Sequence, residues 1–574
     1  MMHEFPRQLP ARRGFSLSYQ GKTLLSTIDP IAQAEKAART YQLKERTLYL
    51  IASPLFGYGI SLILQSLPVN SSILALEIDE ALFHATKDEF LAHIPAEVPY
   101  ISTDSSEKLC SFVRMHWGPR RFRRVELITL NAGWTLYENQ YKELLHSLQT
   151  DIATDWANAM TLTRMGRLYA KNALRNLPLL GRTTPMHKIH FGKTPLLMAA
   201  AGPSLDTLLD QLVREYPGLR HKETRPFRIL CVDTALQSFI ARSIPVDIVV
   251  ALESQIWNLK DFVGYGSQDF LLAMDLSAHP GTLLIPEDKT CFFFTPWTEL
   301  AFFKRLKQRD LLPTTFPPLG SVGLSATHIA LTITDGPVYI AGLDFAFTPE
   351  QYHAKSSPGY QKRYNTHNRF APLAMETAIY HRDIQKVLDI NGQMMYTDRV
   401  LQRYRDLFVR EFASHERLVD IRPAGLDLHI RRGSLSELFE EPSSHESELS
   451  PNNFVREEQN ISILMNLQGG SPATSPHDGD GTDRCAAIQA LLTEELASLR
   501  RLRAILSGEA PAAADELDQL IDYCDYLWAH VPECAAAGRQ RPGTNDISFL
   551  KRVRAELDYF IKIVELALKN ANQP

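Results

Sequence analysis

Short apolar runs that stop in small or polar residues recur through the middle of the chain. Three of them fall between Thr194 and Asn258, in the stretches TPLLMAAAGPSLD, RILCVDTAL and VDIVVALESQIWN. Uninterrupted apolar runs are typical of strands buried on both faces of a parallel sheet, whose carboxyl ends open onto a ligand. The pattern predicts an α/β sheet with a nucleotide-type crevice at one edge, and it favours a nucleotide-dependent enzyme.

An earlier part of the chain shows the same alternation of strand and helix. TLYLIA at 47–52 predicts a strand, the turn Gly57-Tyr58-Gly59 leads into a helix, and ILALEID places Glu77 about 20 residues after the glycines. This is the spacing of a Rossmann-type ribose carboxylate. The same glycines also suit close packing of a strand against a helix without a ligand, so both interpretations stay open.

Changes in the apolar pattern predict the domain organisation of an α/β chain. Helical spacing between 151 and 180 predicts a connecting helix, CFFFT, PVYIAGLDFAF and LVDI predict further strands, and three amphipathic helices follow Asp483. Stretches rich in Ser, Pro, Gly and acids predict a flexible linker before those helices. The predicted parts are a Rossmann-like N-terminal domain, a central α/β domain with a mostly parallel sheet, an acidic linker and a C-terminal helical bundle, at 1–150, 151–440, 441–484 and 485–574. The bundle could close the site, oligomerise, hold a partner or only pack.

Composition narrows the classes of partner. Across 574 residues, 66 acidic against 61 basic side chains give a net charge of −5, so there is no electrostatic reason to expect nucleic acid. Six cysteines lack the C-x-x-C spacing of a zinc site and indicate buried thiols in a reducing compartment. The Asp-x-Asp pair at 478–480 falls in the linker, so no metal site is expected. The chain shows neither a signal peptide nor an apolar run that would span a membrane, which predicts a cytoplasmic protein.

Polar clusters stand where the predicted central strands end, and such ends meet at one edge of a parallel sheet. Those that follow the first three strands contain Gly202, Pro203, Ser204, Asp233, Thr234, Glu253, Gln255 and Asn258. Two later clusters are Gly-Ser-Val-Gly around Ser321 and Gly-Leu-Asp ending in Asp344. Amides at a helix start and the hydroxyl of Ser204 can hold a phosphate oxygen, although the same residues also make an ordinary helix cap.

A loop dense in polar and aromatic groups follows Asp344 and is predicted to be a substrate lid. It includes Thr348, Tyr352, His353 and His367. A histidine suits removal of a proton from an attacking hydroxyl, and His353 and His367 are the two candidates for this base. Each histidine could instead bond only the loop backbone.

The ordered motifs AAAGPSLD, VDTAL, IPVDIVVALESQ, GSVGLSATHIA and YIAGLDFAFTPEQYHA resemble the central domain of the motility-associated-factor (Maf) flagellin glycosyltransferases. That family is also described as 6-hydroxymethylpterin pyrophosphokinase-like, and the resemblance covers about Asp151 to Leu438. It implies a central fold like that of bacterial sialyltransferases that use a cytidine monophosphate (CMP) sugar without a metal. It further implies transfer of a nonulosonic acid, of pseudaminic or legionaminic type, to Ser or Thr of flagellin, for flagellum assembly and motility. The CMP-activated sugar would be the donor substrate, and no tightly bound cofactor is implied.

The resemblance also implies roles for individual residues. The residues implied to hold the nucleotide-sugar are Gly202, Pro203, Ser204, Asp233, Thr234, Glu253, Gln255, Asn258, Ser321, Thr348 and Tyr352. Ser321 would lie near the sugar carboxylate. The residues implied to be catalytic are His353, His367 and Asp344, with one histidine as the base for the acceptor hydroxyl. Direct displacement would invert the anomeric carbon.

Three alternatives remain open at this point. A methyltransferase would bind S-adenosylmethionine in the domain that carries Gly57 and Glu77. A pterin pyrophosphokinase would transfer pyrophosphate from ATP and would need magnesium and carboxylate ligands. A non-catalytic flagellin-binding chaperone would keep the nucleotide fold as a scaffold and hold its client with the helical tail.

Overall fold

The computed structural model describes residues 5–118, 120–264, 269–281, 289–373, 383–439, 481–513, 515–536 and 541–572. The chain forms two compact units, Met1–Met165 with Trp528–Asp546 and Gly166–Leu527 with Ile547–Pro574. The predicted linker lies outside the described residues as far as 480, and so does the Asp-x-Asp pair at 478–480. The predicted domain boundaries stay predictions.

The first unit contains a Rossmann-like sheet. A small antiparallel sheet precedes it, formed by β1 (Arg7–Pro10), β2 (Phe15–Tyr19) and β3 (Lys22–Thr23). Four parallel strands follow in the order β6-β5-β4-β7, with bounds β4 (Thr47–Ala52), β5 (Ser72–Glu77), β6 (Tyr100–Ser102) and β7 (Arg124–Ile128). The helices are α1 (Pro30–Ala38), α2 (Ile60–Gln65), α3 (Glu80–His93), α4 (Ser106–Trp117), the start of α5 (Glu138–Asn176) and the short helix Pro532–Ala536. The strand predicted from TLYLIA is β4.

Glu77, the predicted ribose carboxylate, is turned into the protein. Its side chain is fully buried and accepts hydrogen bonds from the Ser53 hydroxyl at 2.8 Å and the Tyr141 hydroxyl at 3.0 Å. Burial raises the pKa of Glu77 to about 7. The glycine turn serves close packing, because Gly57 has φ +78° and a Cβ there would lie 2.7 Å from the side chain of Ile94. The Glu77 carboxylate is therefore bonded within the protein, and the ribose role that its spacing suggested stays a prediction.

The second unit is built on a larger parallel sheet. The strands are β8 (Leu196–Ala199), β9 (Arg228–Val232), β10 (Ile248–Ala251), β11 (Leu271–Asp275), β12 (Thr290–Phe294), β13 (Thr314–Thr315), β14 (Val338–Ala341), β15 (Ile384–Leu388), β16 (Met394–Asp398), β17 (Leu418–Asp420) and β18 (Arg431–Arg432). Nine of the described strands form one sheet in the order β13-β12-β11-β10-β9-β8-β14-β17-β18, with every neighbouring pair parallel. β15 and β16 form a separate antiparallel hairpin. Strands β8, β10 and β14 are completely buried, as their unbroken apolar runs predict.

Helices cover this sheet and continue into the C-terminal region. Their bounds are α6 (Ser204–Glu215), α7 (Asp233–Ile240), α8 (Ala301–Gln308), α9 (Val322–Ile333), α10 (Pro358–Thr366), α11 (Arg399–Phe412), α12 (Gly481–Leu506), α13 (Glu516–Tyr523) and α14 (Ile547–Ala571). The predicted C-terminal helices are present, but the second one ends at Tyr523, and a 3-10 turn, Asp525–Leu527, follows it. The predicted connecting helix is α5, which starts earlier than its apolar spacing suggested.

A buried ion pair joins helix α12 to helix α8. The Arg305 guanidinium donates two hydrogen bonds to one carboxylate oxygen of Glu495, at 2.6 and 3.0 Å, and Glu495 is fully buried. The Tyr526 hydroxyl donates to the other oxygen at 3.0 Å, and the Arg305 guanidinium stacks on the ring of Tyr523 at 3.5 Å. These contacts satisfy the buried charges and fix the C-terminal helices to the α/β part of this unit.

Candidate functional site

Strands β8 and β14 are parallel neighbours in the large sheet, but the strands that follow each of them along the chain are added on opposite sides of the pair. Strands β9 to β13 step outward on one side of β8, while β17 and β18 step outward on the other side of β14. Such a reversal opens a crevice at the carboxyl ends of the strands, and open α/β sheets bind ligands there. The predicted clusters at Gly202 and Asp344 directly follow these two strands.

The turn after β8 requires glycine at position 202. The amide of Gly202 donates to the carbonyl of Gly342 at 2.7 Å. A Cβ on Gly202 would lie 2.5 Å both from that carbonyl oxygen and from a carboxylate oxygen of Asp344. No side chain fits there, so the glycine lets the β8 and β14 turns touch. Pro203 occupies the position before the first residue of α6.

Asp344 holds the start of helix α6. Its two carboxylate oxygens accept from the Ser204 amide at 2.7 Å and the Ser204 hydroxyl at 2.5 Å. Asp344 is 2% exposed, and burial raises its pKa to about 6 against the opposing charge of Arg422. The two donors that were expected to grip a phosphate are thus occupied by Asp344, and a ligand would have to compete with it. The predicted roles of Ser204 and Asp344 stay predictions.

The start of helix α9 offers a second group of backbone amides at the same edge. Ser321 precedes this 12-residue helix, and its side chain makes no capping hydrogen bond. A Cβ on Gly323 would lie 2.6 Å from the Leu343 side chain and 3.7 Å from that of Ala200, so the helix starts beside the ends of β14 and β8. The first amides of a helix have no partner within it and carry the positive end of its dipole. An anionic group can bind there.

Two acidic residues, Asp233 and Glu253, follow the ends of β9 and β10. Asp233, the first residue of α7, is 4% exposed and accepts from the Thr234 amide at 2.7 Å. Burial raises the pKa of Asp233 to about 6, and the negative charge of Glu253 adds to this effect. Glu253 is exposed and accepts from the amide of Gln255 at 2.9 Å. Asn258 follows, and its buried amide nitrogen lies near enough to Asp233 to lower its pKa, yet makes no hydrogen bond of normal geometry in the described chain.

His353 is anchored next to the Gly202 turn. Its backbone neighbour Ala354 donates to the carbonyl of Ala201 at 2.9 Å, and Ala201 also bonds the His353 side chain. Burial lowers the pKa of His353 to about 4, and the positive charges of Arg363 and Lys260 act in the same direction. The imidazole is therefore neutral at physiological pH and keeps a nitrogen lone pair able to accept a proton.

Asp206 of helix α6 fixes the segment that carries His353. One of its carboxylate oxygens accepts from the Gln351 side chain and from the Lys355 amide, both at 2.8 Å. The other oxygen pairs with Arg242 at 3.1 Å. Since Gln351 and Lys355 stand on either side of His353, these bonds limit the movement of the histidine.

The remaining predicted lid residues divide into two groups. Thr348 forms a tight turn with Gln351, and the half-buried Tyr352 packs its ring 4.9 Å from both Phe347 and His353, so these two residues lie beside the site. His367 lies beyond helix α10, is exposed, and contacts Tyr364 through its ring nitrogen and its ring face. The structure thus groups His353, and not His367, with the other predicted residues.

Several residues around the site were not singled out by sequence reasoning. Asp261 is a buried carboxyl next to Asp233, and Asn172 and Asn176 of α5 bind the loops after β10 and β11. Each asparagine donates from its side chain to two backbone carbonyls at 2.9 to 3.0 Å, and one of these belongs to Ser254. The spacing of Asn172 and Asn176 by one helical turn was the available signal. Asp261 gave no signal, because it stands inside an irregular turn.

Comparison with known proteins shows which described family the site region is similar to. Residues 171–350 match the family described as 6-hydroxymethylpterin diphosphokinase MptE-like. The residues from Gly202 to Asp344 lie inside this matching segment, and His353 lies just after it. Of the described helices, none is long and apolar enough to cross a membrane, and no described group of three or more His, Cys, Asp or Glu side chains is arranged to hold a metal ion.

Two whole-chain similarities accompany the MptE-like match. An uncharacterized protein of Treponema pallidum (strain Nichols) is 29% identical over 97% of this chain and 95% of its own length. The solved structure of a Maf glycosyltransferase from Magnetospirillum magneticum AMB-1 has a TM-score of 0.53 at 12% identity, covering 99% of this chain and 93% of that one. The predicted α/β fold class is confirmed, and the chain shares the fold of that glycosyltransferase.

Proposed function

We propose that the chain is a glycosyltransferase that moves a nonulosonic acid from a CMP-activated donor to a Ser or Thr hydroxyl of flagellin in the cytoplasm. The observation that carries the proposal is the convergence of the Gly202 turn, Asp233, Ser321 and His353 at the switch point of the large parallel sheet. The fold shared with a Maf glycosyltransferase supports it.

In this proposal the donor lies across the carboxyl ends of β8, β9 and β10. The amides at the start of α9, with Ser321, hold an anionic group of the donor, either its phosphate or the sugar carboxylate. The polar groups that follow β9 and β10, including Asp233 and Asn258, face the nucleoside. Asp344 acts as a positioning residue, because both of its oxygens bind Ser204.

His353 is proposed as the base of the transfer step. The acceptor oxygen attacks the anomeric carbon, its proton passes to a ring nitrogen of His353, and the bond from that carbon to the phosphate oxygen breaks to release CMP. Attack opposite the leaving group inverts the carbon. The low pKa of His353 keeps its ring unprotonated, and Lys260 and Arg363 supply positive charge near the leaving phosphate. No metal is needed for these steps as proposed.

The test is transfer by the full-length protein with CMP-linked nonulosonic acid and unmodified flagellin. Intact-mass spectrometry of flagellin should show added sugar masses, and CMP should be released in equal amount, with and without a chelator. The His353→Ala variant should lose at least about 100-fold in rate, the usual contribution of a general base, whereas His367→Ala should stay near wild type. Flagellin that keeps its mass with the wild-type protein and donor would refute the proposal.

A pterin pyrophosphokinase is a second candidate, because the matching family is described as 6-hydroxymethylpterin diphosphokinase MptE-like. It predicts consumption of ATP with Mg²⁺ and a hydroxymethylpterin, which the same protein preparation can be assayed for. A chaperone without catalysis would leave the flagellin mass unchanged while still binding flagellin. The methyltransferase alternative has less support, because Glu77 is fully buried and bonded internally.

A further inference from the structure

Two buried polar atoms beside Asp233 make no hydrogen bond of normal geometry among the described residues, although the Asn258 amide lies near enough to Asp233 to lower its pKa. They are a carboxylate oxygen of Asp261 and the side-chain amide nitrogen of Asn258. Each of the two residues is only 4% exposed. Buried polar groups in folded proteins are nearly always hydrogen-bonded, since leaving one unpaired costs about 1–3 kcal/mol. An acceptor and a donor left unpaired three residues apart therefore need an explanation.

The segment that carries both atoms is firmly held. Asn258 and Asp261 belong to the 3-10 segment Ile256–Phe262, which follows β10. The side chain of Gln237 on α7 donates to the carbonyls of Asp261 at 3.0 Å and Val263 at 2.6 Å. Since Gln237 lies one turn after Asp233 on the same helix, these bonds keep the segment next to the carboxyl end of β9.

The charges around Asp261 do not stabilise the ionised form of its carboxyl group. The pKa of Asp261 is raised to about 7, mainly by burial and then by the negative charges of Asp233 and Glu253, whereas Lys260 opposes them. Two acidic groups this close and this buried destabilise the free protein. Perturbed groups of this kind collect at functional sites, where a ligand supplies what the protein lacks.

The location of the pair narrows the kind of ligand. Both residues follow strand β10, at the same edge of the sheet as Gly202 and Ser321, where the proposed function puts the nucleotide part of the donor. Phosphate is disfavoured beside Asp261 and Asp233, because like charges repel. A neutral group with a hydrogen-bond donor next to an acceptor fits a carboxyl beside an amide N–H.

We propose that Asp261 and Asn258 form a nucleoside-recognition pair, in which the carboxyl accepts from, and the amide donates to, adjacent polar atoms of the bound nucleotide. The proposal rests on the proposed function. Two parts of a CMP group offer this chemistry. The cytosine edge has an amino donor beside ring acceptors, and aspartate commonly accepts from that amino group. The ribose has vicinal hydroxyls, which acidic side chains bind in other nucleotide sites.

The experiment is calorimetric titration of the full-length protein with CMP, UMP and 2′-deoxycytidine monophosphate in the presence of a chelator. Wild-type protein is expected to bind CMP, and Asp261→Asn and Asn258→Leu are each expected to weaken it at least tenfold. Asp269→Asn is the matched control, because Asp269 is an exposed carboxylate paired with Lys289 at 2.6 Å in the same unit, and it should bind CMP like wild type. Thermal melts establish that each variant is folded.

The other two nucleotides identify which part of the nucleoside is bound. If the base is recognised, wild type binds UMP at least tenfold more weakly than CMP, and Asp261→Asn reduces that difference. If the ribose is recognised, wild type instead binds 2′-deoxycytidine monophosphate at least tenfold more weakly than CMP. Equal CMP affinity for wild type and both variants would overturn the inference while leaving the proposed function standing. Binding that disappears in chelator would also overturn it, because the carboxyls would then hold a cation. A wild-type protein that binds no nucleotide would overturn both.

Discussion

Replacing Asp261 by asparagine should stabilise the protein at alkaline pH even though it weakens nucleotide binding. The carboxyl is 4% exposed, and burial raises its pKa from an ordinary value of 3.8 to about 7. The folded state therefore keeps a proton between about pH 4 and 7 that the unfolded chain has already released. Stability falls as pH rises through that window and stays low above pH 7.

The size of this effect follows from the pKa difference. A pKa raised by about three units, at about 1.4 kcal/mol per unit, lowers the free energy of unfolding of wild type by at most about 4 kcal/mol at pH 8. The variant does not lose this free energy, because asparagine does not ionise. The buried amide of asparagine also needs hydrogen-bond partners, which offsets part of this difference. We therefore expect Asp261→Asn to raise the free energy of unfolding by about 2 kcal/mol at pH 8 and to leave it nearly unchanged at pH 4.

The assay is denaturant unfolding of wild type and Asp261→Asn at pH 4.5, 6 and 8, followed by circular dichroism. Asp269→Asn, which removes an exposed ion pair with Lys289, should change stability by less than about 1 kcal/mol at every pH. A variant that is destabilised at pH 8 would refute the reasoning, because it would mean that the carboxylate is stabilised by the folded protein. A gain that does not grow with pH would refute it as well.

Other contacts give further predictions, two of them with a nearby control residue. Asp206→Asn should lower the transfer rate about tenfold, because it loosens the segment that carries His353. Asp210→Asn, which loses only an exposed ion pair with Arg242, should leave the rate unchanged, and single-turnover rates check both variants. Arg305→Ala should cost about 3–5 kcal/mol of unfolding free energy by leaving a buried carboxylate unpaired, while Arg309→Ala should cost less than about 1 kcal/mol in the same denaturation measurement. The transfer rate should not fall between pH 8 and 5 through protonation of His353, whose pKa is about 4, and a pH–rate profile checks it.

The sequence predicted those features that depend on local pattern. Apolar runs ending in small or polar residues placed β8, β9, β10 and β14, and hence the residues that follow them, at one edge of the sheet. Strand β11 was missed, although its run LLAMD is as apolar as the others and the turn-forming sequence GYGSQD precedes it. The early part of α5 was also missed, although Tyr141, Leu144, Leu148 and Ile152 already recur at helical spacing and are buried together.

Features that depend on distant contacts were beyond sequence reasoning. Ser204 and Asp344 are 140 positions apart, and only the fold shows that the carboxylate occupies the donors expected to meet a phosphate. The choice between His353 and His367 likewise required the contact of one of them with Ala201. Asp261 was hidden because burial of an acid inside a 3-10 turn leaves no periodic trace.

The connection between β14 and β17 has a consequence for how such a protein can diversify. These strands are neighbours in the sheet, and the chain between them, 342–417, contributes His353, helix α10 and the β15–β16 hairpin before it returns. Gly342, Asp344 and Ala354 at its start bond the Gly202 turn, so only insertions or exchanges later in this excursion leave the strand order and that turn untouched. Evolution can therefore remodel the later part of this segment while the Gly202 turn is inherited intact, and under the proposed function chimeras that swap 365–395 between relatives would test whether it sets the acceptor preference.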